Sequence, residues 1–356
     1  MADIAEIPLV EVGRGGAIAL FEAQAERAAA LVDTALSSHA LLPLAARLAD
    51  RVSRRWLERQ RNPYRDEIAH IAQRLSRRGA YFLNIVYEWA CSTSAAPDPD
   101  GNGVRLIRVL DWGLTGIGRY VVVARHQTTH GPLYNVTWPG FVGTLTAMAP
   151  GRFAAAINQA PRMPILGPRW LDEALSRVHL LSLSNAVPAA HLLRQVCEEA
   201  ADYQSAVAML MDRSRSLAMP ALFCLSGVKP TESCVIEAIA RERRLHRGAD
   251  RDNFTIGVAN DWLSSDLKGA PRPHALDWER MAPRENNRVR REAICALQGG
   301  AFSGTRDLEA PVLNSHTVLV AAANAARGEM LVEALDPVPG HGPVPHVVAR
   351  RIVQHQ

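Results

Sequence analysis

The sequence predicts an α+β chain built in layers, with two antiparallel sheets flanked by helices. Three observations lead there. Residues 17–79 repeat apolar side chains at helical spacing. Residues 91–160 break into short β-branched and aromatic runs separated by Gly, Pro, Asn and Asp. Helical and extended segments then alternate to the end of the sequence. At 356 residues, 48% hydrophobic and 21% charged, the composition suits one large domain or two modest ones.

Residues 7–12 form a short strand ended by Gly13, Gly15 and Gly16. Segments 17–38, 41–60 and 64–79 are amphipathic helices. Asn62-Pro63 breaks the chain before the third, whose Ile68, Ile71 and Leu75 share one face. Strands follow at 104–112, 119–127, 133–140, 142–149 and 152–160, then helices at 170–184, 188–200 and 203–216. Strands at 221–228 and 233–242, an extended segment at 254–262, a helix around 288–297 and strands at 316–324 and 329–336 complete the order. The predicted division is an N-terminal helical segment, 1–90, and a sheet-rich domain, 91–356.

A formal charge of +4, from 40 basic against 36 acidic side chains, is too balanced to imply nucleic acid. The two dense basic runs, 241–247 and 288–291, read as solvated faces. Five widely spaced cysteines without a C-x-x-C pair suggest neither a disulfide framework nor a zinc site. His126 and His130 lie four apart in a strand-to-turn region, where that spacing does not converge on a metal. The Gly113, Gly116 and Gly118 run is followed by a strand, so it is no dinucleotide fingerprint. No metal or cofactor is expected. The first residues lack a secretory pattern and no apolar run reaches about 18 residues, which predicts a cytoplasmic protein.

The chemistry concentrates at Cys91. It follows the apolar, aromatic run YFLNIVYEWA and precedes the turn APDPDGNG, after which VRLIRVLDW reads as a returning strand carrying Arg108 and Asp111. The turn brings a thiol, a cation and a carboxylate within reach of one another. Strand alternation, however, sends residues three apart to opposite faces. A lone cysteine is most often a small core residue. None of the 12 histidines sits in a Cys-His protease signature.

The run NIVYEWACSTSA followed by RVLDWG resembles N-terminal-nucleophile (Ntn) cysteine hydrolases of the acid ceramidase and N-acylethanolamine acid amidase type. These have related choloylglycine hydrolase and penicillin acyltransferase branches. In the resembled pattern, N-x-x-YE…CTS is followed by R-N-x-D-(F/Y/W), and the precursor cuts itself before the Cys. The resemblance implies an αββα sandwich and cleavage of Ala90–Cys91. Cys91 would then be the nucleophile, with its own freed amine, of reference pKa roughly 8, as base. It also assigns Arg108 to the thiolate and the substrate carbonyl, and Asp111 to orienting the amine.

The likeness continues along the chain. The stretch from Val136 to Asn158 is similar to a T-x-x-G-x-x-G-x-x-T-G run leading to Asn-Glu-Arg, which brings Asn158 to the site and puts Gln159 where the family has Glu. VANDW resembles T-N-Y-D-x-W and makes Asn260 the oxyanion donor. ENNRVRREAICAL is similar to D-D-R-R-x-x-A-I, and a one-residue offset leaves Arg288 or Arg290 as the second arginine, with Arg288 preferred. PVLNSHTVLVAA matches P-V-x-N-x-x-T, giving Asn314 and Thr317 structural places.

The implied activity is hydrolysis of linear amides such as fatty N-acylethanolamines or ceramides. The N-terminal helices could line an acyl groove or touch a membrane surface. An acyltransferase or a penicillin or bile-salt amidase on the same fold remains an alternative, as does an inactive binding protein, and a homo-oligomer is left open.

Overall fold

The computed structural model describes residues 4–37, 42–85, 89–161, 186–269, 281–338, 340 and 344–355. Two sheets stack face to face. The first contains seven strands in the order β1 (Ala5–Glu6), β17 (His346–Gln354), β16 (Glu329–Asp336), β15 (Thr317–Asn324), β4 (Val104–Trp112), β3 (Trp89–Pro97) and β14 (Ile256–Val258). The second contains eight, in the order β13 (Glu242–Arg247), β12 (Ser233–Ile239), β11 (Ala221–Ser226), β8 (Phe153–Gln159), β7 (Thr146–Ala149), β6 (Gly131–Thr137), β5 (Val122–Thr128) and β2 (Leu9–Gly13). A separate parallel pair joins β9 (Ala186–Val187) to β10 (Ser216–Leu217).

The predicted α+β sandwich is present, with one correction to its sheets. Both are mixed, because β1 pairs in parallel with β17 and β2 in parallel with β5, while the other neighbours within each are antiparallel. The N-terminal residues thus lie at an edge of each sheet, where they cover hydrogen-bonding groups that would otherwise face solvent.

Helices α1 (Gly16–Ala23), α2 (Ala25–Ser37), α3 (Leu42–Arg59), α4 (Arg65–Leu75) and the short α5 (Ala80–Leu83) precede β3. They share an apolar cluster that includes Phe21, Val32, Trp56, Ile68, Ile71 and Leu75. Gly16 has positive φ at the start of α1, which a Cβ would strain, and a Cβ there would stand 3.0 Å from Arg194 Nη2. Arg194 belongs to α6 (Ala189–Glu199), which with α7 (Tyr203–Met211) covers the second sheet. Its buried guanidinium bonds Glu67 of α4 at 2.9 Å and Glu198 at 2.7 Å and lies over the Tyr64 ring. A buried charge held by two carboxylates is costly to unpair, so this contact locks the N-terminal helices onto the sheet domain. The helix expected at 170–184 lies outside the described residues.

The last helix, α8 (Pro283–Ala296), packs on the outer face of the first sheet against β3 and β14. The layers therefore run helix, sheet, sheet, helix, with the main apolar core between the sheets. No helix among the described residues is long and apolar enough to cross a membrane.

Both basic runs read as solvated faces hide a buried arginine. Residues 242–247 are strand β13, whose buried Arg243 donates to the carbonyls of Leu210, Ala240, Glu242 and Arg215. Residues 288–291 lie in α8, where Arg290 is fully buried. Each guanidinium spends its several N–H groups on oxygen acceptors.

Candidate active site

The β3–β4 hairpin sets the site. Its register puts Ala90 opposite Asp111, Cys91 opposite Leu110 and Thr93 opposite Arg108. Because side chains alternate along a strand, the Cys91, Thr93 and Arg108 side chains enter the space between the sheets, while those of Ser92, Ser94 and Asp111 face α8.

On the inner face, Arg108 Nη2 lies 3.1 Å from Cys91 Sγ, and Nη1 donates to Asn158 Oδ1 at 2.9 Å. The Thr93 hydroxyl donates to the same oxygen at 2.6 Å. Asn158 Nδ2 donates to the carbonyls of Val258 and Ala259 at 3.1 and 3.0 Å, so its amide is fixed at both ends. Among the described residues the buried Arg108 Nε has no hydrogen-bond partner, which makes it a donor in reserve. Cys91 is wholly shielded from solvent. Burial pushes its thiol up to about 11, against the pull of the Arg108 charge.

On the outer face, Arg290 gathers the backbone. Its guanidinium donates to the Cys91 carbonyl at 2.9 Å, Ser92 Oγ at 3.2 Å, Asn260 Oδ1 at 3.0 Å, Asn287 Oδ1 at 2.8 Å and Asn286 Oδ1 at 2.9 Å. Asp111 Oδ2 stands 4.0 Å from Arg290 Nη1, too far for a hydrogen bond, and has no such partner among the described residues. Its Oδ1 accepts from the Thr317 hydroxyl at 2.8 Å. Burial raises the Asp111 carboxyl to about 6, although Arg290, Asn314, Thr317 and Arg108 all draw it down.

Asn260 joins the two faces. Its Oδ1 accepts the Cys91 amide at 2.9 Å as well as Arg290, and its Nδ2 donates to the Gln159 carbonyl at 2.8 Å. An amide nitrogen carries two hydrogens, so one is left uncommitted among the described residues. The Asn260 backbone N–H donates to Asn287 Oδ1 at 2.7 Å.

Cys91, Arg108, Asn158 and Asn260 are thus brought together, and Ala90 precedes them in β3. Asp111 reaches the site from the opposite face. Gln159 contributes its backbone carbonyl, and alternation along β8 turns its side chain away from that of Asn158. Arg288 is not at the site: it is exposed on α8 and paired with Glu285 at 2.6 Å and Glu292 at 2.7 Å. The second arginine at Cys91, beside Arg108, is Arg290, two residues later and on the buried face of the helix. Thr93, Asn286 and Asn287 were not singled out from sequence. Helical spacing carried a signal for the last two, since 286, 287 and 290 share a face.

A pocket lies farther along the same inner face. Leu31, Leu75 and Leu83 from the N-terminal helices face Trp112, Trp138 and Phe141 across it. Trp112 pairs in register with Trp89, two residues before Cys91, and meets Trp138 edge-on with ring centroids 5.5 Å apart. Asn84, also in the lining, donates to Gly140 O at 3.0 Å and accepts from Val142 N at 2.7 Å, tying the 138–142 loop to the residues after α5.

The fold defines a class of architecture: an αββα sandwich with a buried thiol near the start of an inner strand. Among particular proteins, the chain is 28% identical over 226 residues to a probable acid ceramidase of Caenorhabditis elegans, a match that takes in 57% of this chain. The chain spans about half of that relative's length, 52%. The resemblance read from the motifs is therefore borne out.

Among solved structures, the C. elegans N-acylethanolamine-hydrolyzing acid amidase ortholog aligns at 17% identity and a TM-score of 0.49, over 66% of this chain and 93% of that one. Penicillin V acylase from Agrobacterium tumefaciens aligns at 12% and 0.37, over 68% and 82%. The C2A mutant of conjugated bile acid hydrolase from Clostridium perfringens aligns at 7% and 0.42, over 74% and 92%. No protein-family model matches the chain.

Proposed function

We propose that this chain is an amidohydrolase that cleaves linear N-acyl amides through Cys91, after cutting its own Ala90–Cys91 bond. The observation that carries the reading is the convergence of Arg108, Asn260 and Arg290 on the thiol and backbone of Cys91, with Asn158 holding Arg108 and with Asp111 Oδ2 left without a hydrogen bond among the described residues on the other side of the strand. An orphaned buried carboxylate oxygen is costly. In this reading it is satisfied once the α-amine of Cys91 is freed, because Asp111 lies in register with the residue that leaves.

Maturation begins with Cys91 Sγ attacking the Ala90 carbonyl. The C–N bond breaks, leaving a thioester and a free amine, and water then releases the 1–90 carboxylate and the thiol. In turnover the α-amine takes the thiol proton and the sulfur attacks the substrate carbonyl. The oxyanion is met by the second Asn260 Nδ2 hydrogen and by Arg108. The leaving amine takes the proton from the α-ammonium, and water resolves the thioester. Gln159 supplies no carboxylate, so each step is assigned without one.

The apolar pocket beside Trp112 favours an apolar acyl group, such as the acyl chain of an N-acylethanolamine or ceramide. Residues 42–79 carry ten arginines against four carboxylates. Arg51, Arg55, Arg61, Arg74 and Arg78 are exposed there, a surface suited to anionic lipid headgroups near the pocket. The proposed units are a segment 1–90, helical apart from β1, β2 and the first residues of β3, and a catalytic domain 91–356, and the cytoplasm is the proposed compartment.

A denaturing gel and a substrate panel test the reading. Wild-type protein is expected to give fragments of 90 and 266 residues and to turn over N-acyl amides of some chain length, and Cys91→Ala to do neither. An intact wild-type chain that turns over no N-acyl amide, penicillin V or glycine-conjugated bile salt would make this a binding protein on a hydrolase fold.

A further inference from the structure

We infer that Glu237 is a positioning residue for the reaction, acting through the loop that carries Asn260. This rests on the amidohydrolase reading of Cys91. Glu237 lies on β12 in the second sheet, and its side chain is fully shielded from solvent. It is in register with Leu222 of β11, which is itself in register with Asn158, so Glu237 projects into the same inter-sheet layer as Asn158.

There its carboxylate is filled by the loop that leaves β14. Oε1 accepts the Leu263 amide at 2.5 Å and the Ser264 amide at 3.1 Å, and Oε2 accepts the Ser264 hydroxyl. His246 Nε2, on β13, lies 2.9 Å from Oε2 and 3.2 Å from Ser264 Oγ. A buried carboxylate taking two main-chain N–H groups and a hydroxyl from one short loop is a strong local constraint, because each such bond to a charge exceeds a neutral one.

The loop is thereby fixed at two places. Asn287 holds it at the Asn260 amide, and Glu237 holds it three and four residues later. Between them Asp261 accepts the Trp262 amide at 2.9 Å and faces Arg284 of α8 at 3.4 Å, a half-exposed contact of little holding power. Asn260 Oδ1 receives the backbone nitrogen of Cys91, so the placing of that nitrogen, the base of the proposed reaction, depends on how firmly both ends of the loop are held.

The test has one readout that needs no activity. In a Cys91→Ala chain, which keeps an amide at residue 91 whatever its maturation, adding Glu237→Ala is expected to speed residue-resolved hydrogen exchange at 263, 264 and 91 by about tenfold or more. In the active chain, Glu237→Ala is expected to lower kcat about 10²-fold with KM within about threefold. The double variant Glu237→Ala/Asn260→Ala should be no slower than Asn260→Ala alone, within about threefold. Glu237→Gln keeps an acceptor for the two amides and should restore most of kcat, and Glu237→Leu, which keeps the bulk and removes both acceptor oxygens, replaces Glu237→Ala in every arm if that chain does not fold. Unchanged exchange at residue 91, or losses that multiply in the double variant, would overturn the inference. A wild type that turns over no amide would overturn the hydrolase reading, while the exchange result would still decide the role of Glu237.

Discussion

The two faces of the β3–β4 hairpin carry the same kinds of residue to different ends. Between the sheets, Cys91 meets Arg108, whose Nε is left without a partner; against α8, Arg290 has each of its nitrogens engaged and grips the strand by its backbone. The inner face keeps unused donors beside the thiol, and the outer face spends nearly all of its own on holding the strand still. In the proposed function, reactivity and positioning are thus divided between successive residues of one strand, and alternation is what divides them.

The comparison can be broken from either side. The largest effect is expected from Cys91→Ala on the inner face, which should abolish turnover and the 90/266 fragment pair. On the outer face, Arg290→Ala leaves several buried oxygens without their donor and the Asp111 carboxyl without its nearby positive charge. It should cost about 3–5 kcal/mol in denaturant unfolding, whereas Arg288→Ala, at an exposed ion pair, should change stability by about 0.5 kcal/mol or less. Equal effects of the two would remove the distinction between the faces of α8.

Asp111 sharpens it with pH. Its carboxyl is raised by burial to about 6 from an ordinary value near 4. Below about pH 4 folded and unfolded chains both hold the proton, so the charge costs nothing. As pH rises through 6 the folded state must ionise a buried group, and stability falls by up to about 3 kcal/mol. Asp111→Asn should remove that slope between pH 4 and 6 in thermal melts, and an unchanged slope would assign it to another group.

A smaller effect is expected at Gly257. A Cβ there would collide with Cys295 Sγ on α8 and stand 3.2 Å from the Thr93 carbonyl. Gly257→Ala should therefore lift α8 from the hairpin at a cost of about 1–3 kcal/mol.

Much of this was legible beforehand. Strands such as 104–112 and 152–160 announce themselves by composition, and the turn at 96–103 makes the hairpin unavoidable. The thiol, Arg108, Asn158 and Asn260 were all reached through their motifs. Arg290 was open only as the lesser choice. The buried face of α8 is Asn286, Asn287, Arg290 and Ile294, mostly polar, so hydropathy cannot say which side of that helix faces inward. The strand β13 was missed for a related reason: its basic composition signals solvent, and only the carbonyls around Arg243 explain its burial. The pairings of β1 with β17 and β2 with β5 join residues more than 100 positions apart, a distance over which local pattern carries nothing.

Those two pairings bear on the proposed maturation. One short peptide, residues 5–13, is stitched by main-chain hydrogen bonds to the rims of both halves of the sandwich. Cutting the chain at residue 90 would sever the covalent thread and leave this staple in place, with the Arg194 anchor beside it. The new N-terminus would open inside a finished sheet, with no need for the pieces to find each other, and the severed protein would still sediment as one particle.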